Sequence, residues 1–223
     1  RFDVTTSSGY FYFESTTDIS SVYALNGTIY ATNNNNSSSI HLVFIDFVDD
    51  NGTHFSTAST SPSTVNTNIA DRNIDRTRTS NSWGAIVSNS VNDVHAAVIN
   101  GKTYVAVATD GGVSIINETD ESVVDLVYTG AKNDVSDVHI ARDGRLYMIS
   151  QASGSNTEYY MLARFADVSS IKTDDSVSAF ANLVDLEHQY RIYDGKLWLE
   201  GTSTNRNDGF NDLFITDNTS FVD

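Results

Sequence analysis

Four short stretches constrain this chain more than anything else in it: SVYALNGTIYAT, VHAAVINGKTYVAV, VHIARDGRLYMIS and QYRIYDGKLWLEGT. Each turns on an Asn-Gly or Asp-Gly pair, with the glycines at Gly27, Gly101, Gly144 and Gly195, spaced 74, 43 and 51 residues apart. Three residues beyond each glycine stands an aromatic side chain: Tyr30, Tyr104, Tyr147 and Trp198. Asn-Gly and Asp-Gly supply the positive φ angles of a type I′ turn, whose twist matches that of two flanking strands. The flanks alternate accordingly. Val138 and Ile140 precede one turn; Leu146 and Met148 follow it on one face, with Arg145 and Tyr147 on the other. Each copy therefore predicts an antiparallel hairpin with the aromatic as a packing position of the repeat. A lone hairpin is marginal in water, so each must stack on further strands.

Those strands are legible. KTYVAVAT is followed by a turn at 110–112, then VSIIN, then ESVVDLVYTG; RLYMISQ is followed by a polar loop and YYMLARFADV. No segment carries a long helical period with caps. The expectation is an all-β fold, a repeat of four-stranded antiparallel meanders. A period of about 40–50 residues with four strands per unit reads as a β-propeller blade, about four to five of them, as a small ring or part of a larger one. The segments DGKLWLEGT and DGRLYMIS, with YVAVATDGGVSIIN, resemble the two-component-regulator type propeller repeat, a repeat class that occurs in bacterial and phage surface proteins. The resemblance covers roughly residues 91–216 and more loosely 19–55. It implies a propeller and no particular activity. The copies depart from the pattern where Ser150 replaces a Gly-Thr pair and where the 74-residue gap holds a degenerate unit or lacks one. Residues 1–223 read as a single propeller-like domain or a fragment of one; residues 56–90, rich in Ser, Thr and Asn, read as an insertion or a diverged blade.

Composition narrows the partners. Thirteen Lys and Arg stand against 29 Asp and Glu, a formal charge of -16, which repels nucleic-acid phosphates and anionic membranes. Hydrophobic residues make up 39% of the chain, enough for a packed core. No apolar run is long enough to insert in a bilayer. There is no cysteine, which removes disulfides, thiolate metal sites and cysteine nucleophiles. The first residue is Arg1, so the chain reads as a processed product or a piece of something longer. High Asp, Asn, Ser and Thr with little Lys suits an extracellular or virion surface.

Candidate chemistry falls in three places. Asp93 with His95, and Asp137 with His139, each lie two residues apart on one strand face. They either converge as carboxylate–imidazole pairs on a ligand or metal, or recur because they bond neighbouring backbone and organise the repeat. Asp46, Asp49 and Asp50, and Asn205 and Asp208, lie in oxygen-rich loops that can take Ca²⁺. Neither has the EF-hand spacing, and both also read as turns whose side chains bond their own backbone. No other cofactor is expected. Trp83, in the polar stretch NSWGA, is the candidate for an exposed binding aromatic. No nucleophile elbow or zinc-protease motif occurs.

The functional expectation is a non-catalytic structural or adhesive propeller module of a virion (phage tail or fibre) or cell surface. It would bind protein subunits or surface glycans through loops, with self-association into a homo-oligomer open. The alternatives are a propeller glycan hydrolase or lyase with a metal in its channel, or an extracellular sensor domain.

Overall fold

The computed structural model describes residues 19–33, 41–55, 61–65, 78–128, 134–154, 157–177, 186–193 and 196–198. These residues form strands and connections, with no helix among them. The first sheet runs in chain order through β1 (Ile19–Leu25), β2 (Thr28–Asn33), β3 (Leu42–Asp46), β4 (Asn51–Phe55), β5 (Ser63–Val65) and β6 (Arg78–Ser80). The second is a meander of β7 (Val91–Ile99), β8 (Lys102–Thr109), β9 (Gly112–Asn117) and β10 (Ser122–Tyr128), to which β14 (Asp175–Val177) adds in parallel. The third joins β11 (Val135–Ile140), β12 (Arg145–Gly154), β13 (Thr157–Asp167), β15 (Leu186–Tyr193) and β16 (Lys196–Trp198).

The hairpins form where the sequence places them. Leu25 pairs with Thr28 and Ile99 with Lys102, so each loop is two residues long. Both loop residues have positive φ, 51° and 93° at Asn26-Gly27 and 51° and 78° at Asn100-Gly101, as a type I′ turn requires. The Asp143-Gly144 turn is built differently. Only Gly144 has positive φ there, and its N–H bonds the carbonyl of Ala141 while the N–H of Ala141 bonds that of Arg145. That is a longer loop ending in a left-handed glycine, because the strands separate at Ile140 and Leu146.

The propeller expectation is overturned. The described strands make three open sheets of six, five and five strands, not equal four-stranded blades closed into a ring. Two pairings break the pattern. The fourth repeat copy, β15 and β16, pairs onto β13 and extends the third sheet instead of opening a new one. Strand β14 crosses to the second sheet. A hairpin signal is local, whereas the neighbour onto which a hairpin packs is a long-range choice, so the repeat resemblance identified hairpins and not their assembly.

The second sheet is the middle layer. Along β8 and β9 successive side chains point to opposite faces, and both faces are buried, which is why YVAVAT and GVSIIN read as unbroken small and apolar runs. Val105, Val107 and Ile116 join Tyr30, Leu42, Phe44 and Phe55 of the first sheet in one core. Tyr104, Ala106, Val113 and Ile115 join Val138, Ile140, Leu146, Met148 and Phe165 of the third sheet in another. Each buried Val, Leu or Ile contributes about 1.5–3 kcal/mol relative to exposure, so the interfaces between layers hold the fold together.

Candidate functional site

The first strands of the three sheets, β1, β7 and β11, lie side by side and run in the same direction, because contacts between them advance in step along all three. Each carries a one-residue bulge at the same place, where the register shifts between Ile19 and Ser21, between Val91 and Asp93, and between Val135 and Asp137. A bulge adds twist and re-aims the side chains that follow it. The bulged residues Ser20 and Asn92 each reach forward to the next strand: the Ser20 hydroxyl donates to the carbonyl of Val91 at 2.8 Å, and the Asn92 amide to that of Val135 at 2.9 Å.

The residues after the bulge complete the seam. The Ser21 hydroxyl donates to Asp93 Oδ1 at 2.6 Å, and the Val138 N–H donates to Asp93 Oδ2 at 3.0 Å. Two residues on, the Ile140 N–H donates to His95 Nδ1 at 3.2 Å. The His95 ring lies between Tyr23 and His139, with ring centroids 4.2 and 4.0 Å away. Strand β11 is the edge of its sheet, and an edge strand leaves alternate N–H groups without a neighbouring strand. Asp93 and His95 receive two of them, so the second sheet grips the edge of the third by side chains in place of a β-ladder.

This arrangement fixes the chemistry of the candidate pair. Both oxygens of Asp93 accept hydrogen bonds, and an Nδ1 that accepts leaves the His95 proton on Nε2. Burial, and then the neighbouring His139, push His95 down to about 3, so the ring is neutral at physiological pH. The structure thus brings Asp93, His95 and His139 together, with Asp137 buried on the same strand face as His139. At Asp93 and His95 the acceptors hold backbone of the neighbouring sheet.

The other candidates are placed apart from the seam. Trp83, expected to be exposed, is 8% exposed; its indole lies in the core between the first two sheets, 6.4 Å from Phe44 and 6.5 Å from Phe55. Its polar sequence neighbours misled because its carbonyl accepts from the Val123 N–H, which ties the segment onto the second sheet. Asp46 Oδ1 accepts from the N–H groups of Val48 and Asp49 at 2.7 and 3.0 Å, the geometry of an Asx turn. Asp49 is exposed and Asp50 adopts a positive φ of 53°. Among the described residues no three His, Cys, Asp or Glu side chains are grouped to hold a metal ion. Asn205, Asp208 and Gly195, and the side chain of Trp198, lie outside the described residues. Tyr30 and Tyr104 are buried, and Tyr147 is half-buried opposite His139.

Sequence reasoning passed over two half-buried carboxylates. Asp125 interrupts the apolar run SVVDLVY and pairs across the strand with Ser114, whose hydroxyl donates to it at 2.6 Å. Burial pushes Asp125 up to about 6, against the pull of that hydrogen bond. Glu118 accepts from the Tyr30 hydroxyl at 2.8 Å across the first core, and burial raises both groups. A charge inside an otherwise apolar strand was the available signal for Asp125.

The propeller-based functions fall with the ring. Among the described residues the sheets are open and no group of side chains could hold a metal ion, so the channel metal and the propeller enzyme, adhesin, virion module and sensor lose the ring they were built on. No protein-family model matches the chain, and no curated protein matches it. Among the described residues no helix is long and apolar enough to cross a membrane.

Proposed function

We propose that the chain is a binding module that engages the basic surface of another protein through one end of its sheets. The first strands run in the same direction, so the turns that follow them, at Asn26-Gly27, Asn100-Gly101 and Ala141–Gly144, share that end with the β3–β4 and β9–β10 turns. The observation that carries the reading is the β3–β4 turn. Phe47 and Val48 are 49% and 73% exposed there, beside Asp49 and Asp50. Val98, also exposed, lies one residue before the end of β7 at the same end. Apolar side chains flanked along the turn by Asp46, Asp49 and Asp50 suit a protein surface that offers an apolar anchor and Lys or Arg beside it. The formal charge of -16 disfavours nucleic acid and would speed encounter with a basic partner.

The test is site-specific photo-crosslinking in the native source, with a benzophenone side chain at position 48 or, at the opposite end, at position 110. The reading expects one protein adduct from position 48, weakening as salt rises from roughly 0.1 to roughly 0.5 M, since screening shortens the reach of the charges. Equal adducts from both positions, or none from position 48, would refute it.

A further inference from the structure

The seam between β7 and β11 rests on an imidazole that must stay unprotonated at Nδ1. His95 Nδ1 accepts the Ile140 N–H, and its ring lies 4.0 Å from that of His139. A proton on Nδ1 would set two N–H donors against each other, and a charge on both rings would add repulsion in a half-buried place. Tyr23 faces it from β1, Asp93 precedes it on β7, His139 and Asp137 stand on β11, and β8 places Ala106 opposite. The carboxylates would favour a cation, but both oxygens of Asp93 are already held by Ser21 and by the Val138 N–H.

We propose that the His95–His139 pair makes this seam an acid-sensitive joint: protonation releases β11 from β7 and uncovers Val138 and Ile140, while the second sheet stays folded. His95 sits well below its unfolded value of 6.5 in the folded chain, so its contribution is complete above pH 6.5 and is lost as pH falls from 6.5 toward 3. One proton taken up on opening costs about tenfold in the closing equilibrium per pH unit. Asp125 works the other way, because its raised value makes the folded state bind a proton as pH falls through about 6.

The experiment is amide hydrogen exchange by NMR, read as protection factors between roughly pH 6.5 and pH 4.5. Protection of the Ile140 amide is expected to fall about 50-fold over that range, and that of Val105 in the middle of the second sheet by much less. In His95→Gln the Ile140 amide keeps a carbonyl acceptor, and the tenfold-per-unit slope should disappear. His139→Gln keeps the His95 bond and removes the second ring, so the His95 titration midpoint should rise from about 3. Equal pH slopes in the parent and His95→Gln, Ile140 and Val105 falling in step, or a His95 midpoint near 6.5 in the parent would each overturn the proposal.

Discussion

At the residue scale, the polar side chains that matter most hold backbone. Asp93 takes a hydroxyl from one sheet and an N–H from another, so Asp93→Ala strands both donors in a partly buried seam. The expected loss is about 2–3 kcal/mol, read from denaturant midpoints. The exposed Asp143, paired with Arg145 on the surface, should lose less than about 1 kcal/mol on the same change. Asp125 gives the opposite result. Its folded value of about 6 lies above the unfolded one, so its protonated form contributes stability that is lost as pH rises through 6. Asp125→Asn keeps an acceptor for Ser114 and is expected to be more stable than the parent at pH 7 by about 1–2 kcal/mol. That advantage should shrink as pH falls to about 4, which unfolding curves at the two pH values would check. Strand alternation put Asp93 and His95 on one face from the sequence alone. That their partners would be the amides of Val138 and Ile140, some 45 residues on, was not legible, because a partner in another sheet leaves no local pattern.

At the element scale, the turns were the most legible part of the chain and the sheet edges the least. Asn26-Gly27 and Asn100-Gly101 form the turns their residue types demand, since positive φ is a property of those two residues. Gly101 offers a clean measurement of that demand: a Cβ there would meet nothing within 4 Å, yet its φ is 78°. Gly101→Ala should therefore cost about 1 kcal/mol from backbone conformation alone. A change below about 0.3 kcal/mol would show that the turn relaxes into another form. Trp83 shows the limit of reading polarity along the chain. Its neighbours are polar, but the carbonyl bond to Val123 draws the segment onto the second sheet and turns the indole into the core.

At the scale of the whole molecule, three open sheets are stacked through two cores and laced along β1, β7 and β11 by a bulge and an acceptor pair. The Asp-Val-His of β7 supplies the acceptors of that lacing, and the sheets of the described residues are open where the repeat predicted a ring. Sheet membership of β14, β15 and β16 is decided by long-range pairing, which the hairpin repeat does not encode. The molecule's proposed binding end and its acid-sensitive joint both depend on the three first strands lying in the order β1, β7, β11. Nuclear Overhauser contacts from the His95 ring protons test that order most directly. The account predicts cross-peaks from His95 to the rings of both Tyr23 and His139; their absence from either ring would contradict the stacking of the three sheets.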